Sequence, residues 1–295
     1  MDNYIESNDL LDDPVALRKR MRDEGYLFLR DFLPRKEVLG LRRQIAGICR
    51  DAGWLIEGSD PILGLTNRPW MREGAAEWKP VYAKVQALEG LHRMKLHPRV
   101  QRIMDDLFEE PSFALPLTVA RMAFPGTREQ MTPAHQDWLY IGGSTEIITC
   151  WVPLGDVPQC VGGLKVLPGS HKAGFLAPKT ITGLSGNRVE VELDPTLGWC
   201  TADYRAGDLL LFKALTVHAG VENQTPDHMR YSMDFRYAGV SHTITEHCMK
   251  PDQHWQGEPF SWETLEKDWR NSPTAHYWQR LPRIKTKMRD VLWKQ

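Results

Sequence analysis

The spacing of hydrophobic and polar positions changes about one third of the way along this chain. Up to residue 112 the apolar side chains recur mainly every three or four positions, which is typical of amphipathic helices. After Pro34, for example, Val38, Leu41 and Ile45 would share one face of a helix that ends near Gly53. The predicted elements of this helical part are helices at 15–24, from 35 to about 53, 78–96 and 97–109, a strand at 26–33, and a long loop or partly ordered lid at 58–74.

From Phe113 to about Val240 the pattern changes to short strands separated by turns. Asp208 is followed by Leu-Leu-Leu-Phe, a continuous apolar run typical of a buried strand. Turn signals such as Pro-Gly and Gly-Gly separate the strands. This spacing predicts a mainly β protein with flanking helices, and specifically a double-stranded β-helix, the cupin-like jelly roll. The predicted strands are 113–125, 135–141, 146–154, 163–167, 188–192, 208–213 and 228–237.

The remaining residues, 241–295, form a tryptophan-rich extension. Ser261 can cap a helix that carries Trp262 and Trp269 on one face. We expect the indoles to pack on the outside of the barrel or on a twin subunit, which would make a homodimer, with a lid over the active site as the alternative. The chain is thus predicted to be one domain, 1–295, with a helical part (1–112), a jelly-roll core (113–240) and this extension. Its tryptophans are Trp255, Trp262, Trp269, Trp278 and Trp293.

Composition narrows the class of protein. With 42% hydrophobic residues, 25% charged residues and a net charge of -1, the 295-residue chain has no charge excess for nucleic acid or an anionic membrane. No apolar run approaches the roughly 18 residues that span a bilayer, and the polar N-terminus does not resemble a secretory signal. The five cysteines contain no Cys-x-x-Cys pair, which argues against a disulfide framework and favours the cytoplasm. No glycine-rich nucleotide-binding motif is present.

Candidate chemistry centres on His135-Gln-Asp137. On a strand, residues i and i+2 share a face, so this imidazole and this carboxylate could bind one metal ion. His218, which follows the buried strand at 208–212, could complete a 2-His-1-carboxylate triad, the set typical of non-haem Fe(II) oxygenases. His-x-Asp alone is a weak signal, because about one match is expected by chance.

Arg230 lies on the strand after His218 and could enter the same cavity. A buried arginine without a partner is costly, but its planar fork binds a carboxylate well. Arg236 shares its face and is the alternative anchor. Two further histidine features are open: His171 is expected to be structural, and a loose cluster lacks a carboxylate to complete a second metal site. That cluster comprises His242, His247 and His254.

Several motifs together resemble the phytanoyl-CoA dioxygenase family of Fe(II)- and 2-oxoglutarate-dependent oxygenases. The resemblance runs from about Gly25 to Tyr237. It is carried by His135-x-Asp137, Gly-Gly-Leu-Lys-Val-Leu-Pro-Gly-Ser-His at 162–171, Ala-Gly-Asp-Leu-Leu-Leu-Phe at 206–212, His218 and Arg230.

The resemblance implies roles for individual residues. His135, Asp137 and His218 would be the iron ligands, and Arg230 would bind the distal carboxylate of 2-oxoglutarate. Trp151 and Thr132 would contact this cosubstrate, whereas Gly220 stands where some members have a serine. The hydroxyl partner of Arg230 would then be Tyr140, Tyr231 or Ser232, and candidate substrate contacts are Arg121, Trp138 and Tyr140.

The implied reaction uses Fe(II), 2-oxoglutarate and O2 to hydroxylate or desaturate an unactivated C–H of a small-molecule metabolite, with succinate and CO2 as products. Because Asp137 fills the position that is small in related halogenases, hydroxylation or desaturation is favoured. Two rivals are a non-catalytic jelly-roll binding protein and a zinc hydrolase, which would give Arg230 no task. Mixed residues in and after the 58–74 loop hint at a substrate with an apolar body and an anionic group. They are Arg68, Trp70, Arg72 and Trp78.

Overall fold

A computed structural model describes residues 1–71, 73–126, 131–183, 186–193, 198–251, 261–269, 272–281 and 285–287. Most strands in it pair antiparallel and form two facing sheets with a hairpin beside them. In chain order the strands are β1 (Asp2–Asn3), β2 (Tyr26–Leu29), β3 (Ser112–Ala123), β4 (Ile148–Pro153), β5 (Leu164–Val166), β6 (Lys179–Gly183), β7 (Gly186–Glu190), β8 (Cys200–Thr201), β9 (Leu209–Lys213), β10 (His218–Gly220), β11 (Arg230–Gly239), β12 (Thr243–Thr245) and β13 (Lys285–Lys287).

The larger sheet has the order β2-β9-β4-β11-β3 and the smaller one β1-β8-β5-β10, while β6 and β7 form the hairpin. Apolar side chains of both sheets meet between them: Phe28, Trp151 and Leu210 from the larger sheet pack with Val166 and Cys200 from the smaller. This arrangement of two facing sheets confirms the mainly β jelly-roll prediction.

Helices cover the outer face of the larger sheet. Strand alternation sends Tyr231, Met233 and Phe235 of β11 outward, where they share one core with Leu41 and Ile45 of the second helix. The predicted helical first third is therefore confirmed, with a 3-10 turn at Pro61–Leu63 inside the predicted loop. The α-helices are α1 (Pro14–Glu24), α2 (Arg35–Asp51), α3 (Trp78–Gln86), α4 (Glu89–Lys95), α5 (Pro98–Phe108), α6 (Trp138–Ile141) and α7 (Trp262–Leu265).

The predicted strand at 135–141 is wrong. His135 makes only an isolated bridge with His218. From Asp137, whose φ is -60° and ψ -31°, the backbone turns into the short helix α6. The Asp137 carbonyl accepts from the amides of Tyr140 and Ile141, at 2.8 and 3.0 Å, so local hydrogen bonds replace a strand ladder. The strands β8 and β10, of two and three residues, are too brief to give a separate periodic signal, and the five-residue strand β6 was not predicted.

The described part of the C-terminal extension packs on the protein's own helical layer. Trp262 donates its indole N–H to the Met249 carbonyl at 2.9 Å, and Trp269 donates to the Ala87 carbonyl at 2.8 Å. The His92 ring lies 5.6 and 5.0 Å from these two indoles. Trp255 and Trp293 lie outside the described residues. Among the described residues, no helix is both long and apolar enough to cross a membrane.

We predict that Trp269→Ala destabilises the protein by about 3–5 kcal/mol, because a large buried side chain and its hydrogen bond are lost. The free energy of unfolding from urea titration measures this. Trp70→Ala is the matched control, since Trp70 is 37% exposed and Trp269 only 7%; it should cost less than about 1 kcal/mol. Equal effects would show that the extension does not stabilise the fold.

Candidate metal centre

Two histidines meet where β10 begins. The backbone amides and carbonyls of His135 and His218 pair reciprocally at 3.0 Å in both directions. This bridge joins the segment after β3 to the strand that follows β9, although 83 residues separate the histidines (218 − 135). The two imidazole rings consequently lie 4.1 Å apart between centroids.

Asp137 completes the group. Its Oδ1 lies 3.7 Å from His135 Nε2 and 3.6 Å from His218 Nε2, and the three potential ligand atoms all lie within 4.8 Å of one another. All three side chains are buried. In the described part of the chain, no other set of histidine, cysteine and acidic residues is arranged to hold a metal ion.

Backbone carbonyls fix the orientation of both imidazoles. His135 Nδ1 lies 2.7 Å from the Pro133 carbonyl, and His218 Nδ1 lies 3.0 Å from the Thr216 carbonyl. Because a carbonyl only accepts, each Nδ1 carries the proton and each Nε2 presents a lone pair. Burial, and then the nearby His135, lower the pKa of His218 to about 3. His218 is therefore neutral at physiological pH, as a metal ligand must be.

The Asp137 carboxylate uses its two oxygens differently. Oδ2 accepts from Arg236 Nη2 at 2.9 Å, from Arg236 Nε at 3.2 Å and from Thr149 Oγ1 at 2.6 Å. Burial alone would raise the pKa of Asp137, but Arg236 and the two histidines hold it well below its usual value. Two imidazole nitrogens and one ionised carboxylate oxygen fit Fe(II).

Arg230, at the start of β11, lies in the same interior. Its Nη1 donates to the carbonyls of Gly162 and Gly163 at 3.0 and 3.2 Å. Its buried Nε and the buried Ser232 Oγ have no hydrogen-bond partner among the described residues. Burial, and then Arg121, lower the pKa of Arg230 to about 10, so it stays charged at neutral pH. A cation and a hydroxyl with unused hydrogen-bonding capacity fit the carboxylate of a 2-oxoglutarate molecule.

The three hydroxyls proposed as partners of Arg230 differ in position. Ser232 shares its face of β11, two residues further on. Tyr231 is wrong for this role, because strand alternation points it to the helical side, where its hydroxyl contacts Met229 Sδ at 3.7 Å. Tyr140 instead stands edge-on to His135, with ring centroids 5.4 Å apart.

The two other residues expected near the cosubstrate lie on β4 and beside the last residue of β10. Trp151 is buried on β4, with its ring 4.7 Å from that of Tyr204. The Thr132 carbonyl accepts from the Gly220 amide at 3.0 Å. A side chain at Gly220 would start 3.4 Å from the Thr132 backbone nitrogen, which is ordinary contact, so lack of space does not explain the glycine.

The remaining substrate candidates occupy different surroundings. Arg121 lies between Asp234 and Glu73, with Nε 3.3 Å from Asp234 Oδ1 and Nη1 3.5 Å from Glu73 Oε2. Glu73 belongs to the segment that was predicted to be a loop or lid, so this segment contacts β3, the strand beside β11. Trp138 packs on Phe175 at 5.0 Å and its indole donates to the Gly143 carbonyl at 3.1 Å.

Sequence reasoning missed three side chains of the polar network that ends at Asp137. They are Thr149, Asp234 and Glu73. Alternation along the strands at 146–154 and 228–237 could have placed Thr149 and Asp234 on the inner face. Arg236, the alternative anchor, has its Nε and Nη2 on Asp137 and its Nη1 2.5 Å from Asp234 Oδ2. Its Nε and Nη2 are therefore engaged in hydrogen bonds with Asp137, and its Nη1 is engaged in an ion pair with Asp234.

The histidines set aside in the sequence lie elsewhere. His171 Nε2 contacts the Arg22 carbonyl at 3.0 Å, and the His242 ring packs against Phe108 with centroids 5.3 Å apart. His254 lies outside the described residues.

A jelly roll with two histidines and one aspartate converging in its interior defines the class: a non-haem iron dioxygenase that depends on 2-oxoglutarate. The family assignment agrees, because the model of the phytanoyl-CoA dioxygenase (PhyH) family matches residues 21–232. The chain belongs to this family.

Individual relatives are distant. A 1-deoxypentalenic acid 11-beta-hydroxylase from Streptomyces exfoliatus is 28% identical over 263 residues, 82% of this chain and 87% of that protein. The peroxisomal phytanoyl-CoA dioxygenase of Homo sapiens is 24% identical over 268 residues, 84% of this chain and 76% of that protein. The solved epimerase SnoN, in complex with Fe3+, alpha ketoglutarate and nogalamycin RO, is 22% identical with a TM-score of 0.55, and the match covers 84% of this chain and 94% of that chain. This last likeness shows the fold.

We predict that His135→Ala and Asp137→Ala each weaken Fe(II) or Co(II) binding by at least about 100-fold, more than the loss of an outer partner usually costs. Anaerobic titration calorimetry measures the affinity, and circular dichroism checks the fold. His171→Ala is the control and should bind metal as the unaltered protein does. Loss of metal binding in the control, or its retention in both ligand variants, would contradict the site.

Proposed function

We propose that this protein hydroxylates an unactivated C–H of a small-molecule metabolite that combines an apolar body with a carboxylate. The convergence of His135, Asp137 and His218 within 4.8 Å, inside a barrel that also holds the incompletely bonded Arg230, carries this proposal. A zinc hydrolase would leave Arg230 without a role. Coupled consumption of 2-oxoglutarate and formation of succinate, stimulated by one member of a metabolite panel, is the direct test.

Each residue has a physical task in this proposal. His135, Asp137 and His218 would hold the iron, and Arg230 with Ser232 would bind the distal carboxylate of 2-oxoglutarate. When bound, iron and 2-oxoglutarate supply the oxidation: O2 delivers one atom to the substrate and one to succinate, and CO2 leaves. The protein's own contribution is to orient these groups and to exclude water from the interior.

Two further residues would shape the cosubstrate site. Trp151 presents a large apolar surface within the barrel, and Thr132 lies beside Gly220 at the end of β10. We propose that they contact 2-oxoglutarate by packing and by a hydroxyl, respectively. In hydroxylation, one oxygen atom of O2 is inserted into the substrate C–H; in desaturation, the alternative outcome, that atom leaves as water.

The substrate carboxylate is proposed from Arg121. This arginine lies on β3, next to the β11 strand that carries Arg230, and its partner Glu73 comes from the 58–74 segment. An incoming carboxylate could replace Glu73 on Arg121 with no change in the charge around that guanidinium. The relative from Streptomyces exfoliatus is named for hydroxylation of an acid, which supports the same class. Trp138 and Tyr140 would contact the apolar body.

We further propose that the protein works in the cytoplasm. All five cysteines are free, as a reducing compartment would keep them. A homodimer through residues 241–295 also stays a prediction, and light scattering would test it. Since Trp262 and Trp269 are already buried within one chain, such a dimer would use other side chains.

We predict that Arg230→Gln weakens 2-oxoglutarate binding by about 2–5 kcal/mol, because a buried charged contact to a carboxylate is removed. Metal affinity should not change. Calorimetry with the Co(II)-loaded, oxygen-free protein measures both affinities, and Arg205→Gln, at an exposed arginine, is the control. Unaltered 2-oxoglutarate binding in Arg230→Gln would assign the anchor to another residue.

We predict that a carboxylic acid stimulates succinate formation about 10–100-fold more, in kcat/KM, than its methyl ester, because only the acid offers Arg121 a charged acceptor. In Arg121→Gln this preference should shrink towards unity, while basal 2-oxoglutarate affinity stays within about threefold. Comparison of acid and ester pairs in an apolar metabolite panel checks this. Equal activity of acid and ester in the unaltered protein would refute an anionic substrate group.

A further inference from the structure

A series of ion pairs leads from the segment at 58–74 inward to the metal centre, and its pairs become more buried along the way. Glu73 contacts Arg121, Arg121 contacts Asp234, Asp234 contacts Arg236, and Arg236 contacts Asp137. The last three side chains in this series, those of Asp234, Arg236 and Asp137, are only 4–6% exposed. Burial of a charge is costly unless it is paired, so the presence of these last three charged residues in the interior calls for an explanation.

The register of the strands explains how this series of ion pairs forms. On β11, Asp234 and Arg236 share the inner face, because they are two positions apart and only Phe235 lies between them. Opposite them on β4, Thr149 is the register partner of Arg236. Thr149 and Arg236 therefore approach the same point from neighbouring strands, and that point is Asp137 Oδ2.

The two oxygens of the Asp137 carboxylate have different neighbours. Three hydrogen bonds end on Oδ2, at 2.6, 2.9 and 3.2 Å, whereas Oδ1 faces the two histidine Nε2 atoms. Because a carboxylate oxygen has about two lone-pair directions, a metal ion could bind Oδ2 only by displacing hydrogen bonds, and each donor that is removed lowers the cost of that displacement. Burial alone would lower the pKa of Arg236, but Asp137 and then Asp234 raise it, so the guanidinium keeps its charge.

We propose that Arg236 and Thr149 are positioning residues that restrict Asp137 to one-oxygen ligation of the metal, with Asp234 bracing Arg236. This inference rests on the proposed function, in which 2-oxoglutarate and O2 need the remaining coordination positions. A carboxylate that bound through both oxygens would occupy one of those positions. Arg236 consequently acts through Asp137 and does not bind the cosubstrate.

The experiment compares Thr149→Val, Thr149→Ser and Arg236→Lys with the unaltered protein, all loaded with Co(II) in place of iron. Thr149→Val removes one hydrogen bond at nearly constant volume, and Thr149→Ser restores the hydroxyl. Arg236→Lys keeps the positive charge but loses the two-pronged contact. The Co(II) absorption spectrum reports coordination number, because the visible bands weaken as ligands are added, and calorimetry gives metal and 2-oxoglutarate affinities.

We expect Thr149→Val and Arg236→Lys to bind Co(II) about 10–100-fold more weakly, as is typical when partners of metal ligands are lost. Their visible bands should also lose intensity, because Asp137 gains freedom to bind through both oxygens. Thr149→Ser should resemble the unaltered protein. With saturating metal, 2-oxoglutarate affinity should fall far less in Arg236→Lys than in Arg230→Gln.

Unchanged Co(II) affinity and spectrum in Thr149→Val would overturn the inference, even if Arg236→Lys failed to fold. A larger loss of 2-oxoglutarate binding in Arg236→Lys than in Arg230→Gln would also overturn it, because Arg236 would then be the anchor. Failure of the unaltered protein to bind a divalent metal would refute the proposed function itself, and is thus distinguishable from both results.

Discussion

The pairing of β11 with β4 on one side and β3 on the other is the constraint on which the site depends. Because β11 pairs along most of its length with both neighbours, its alternation is fixed, and a slip by one residue would turn its polar side chains into the helical core. That register sends Arg230, Ser232, Asp234 and Arg236 into the barrel. It sends Tyr231, Met233 and Phe235 to the helices.

Three arginines and three acids lie in the barrel interior or at its edge. Specific contacts offset the cost of burying each of these charges. Removal of one partner would leave the other as an unpaired charge in a low-dielectric environment. Arg230 Nε and Ser232 Oγ nevertheless lack a hydrogen-bond partner among the described residues, whereas Arg236 Nη1 and Asp234 Oδ2, which also lack a hydrogen bond, face each other as an ion pair. Where the protein's own groups leave hydrogen-bonding capacity unused, an anionic ligand can supply it. The acids and arginines are Glu73, Asp137, Asp234, Arg121, Arg230 and Arg236.

Much of this arrangement could be predicted from the sequence. The period change at Phe113 indicated helices followed by short strands, and His135, Asp137 and His218 could be grouped because their chemistry suits one ion. The local path through Asp137 could not be predicted in the same way, because Leu139 and Ile141 fit both a strand and a turn of helix. Alternation alone placed Arg230 and Arg236 on one face and could not tell which of them would meet a carboxylate of the protein itself.

The difference between Arg230 and Arg236 comes from a contact that has no local signal in the sequence. Asp137 Oδ2 reaches Arg236 across 99 residues of chain, and only the three-dimensional register brings them together. Tyr231 illustrates the same difficulty at shorter range. Its hydroxyl made it a candidate partner of Arg230, but its position in the pleat points it away from the barrel interior.

The carbonyl contacts of the two imidazoles have a consequence for handling the protein. Pro133 and Thr216 hold the rings by their Nδ1 atoms, and Arg236 holds the acid, so none of the three side chains relies on an ion for its orientation. Folding of the protein therefore positions these three side chains without a metal ion. A chelator should remove the metal ion reversibly, and a spectroscopic probe such as Co(II) should then bind the metal centre without refolding of the chain.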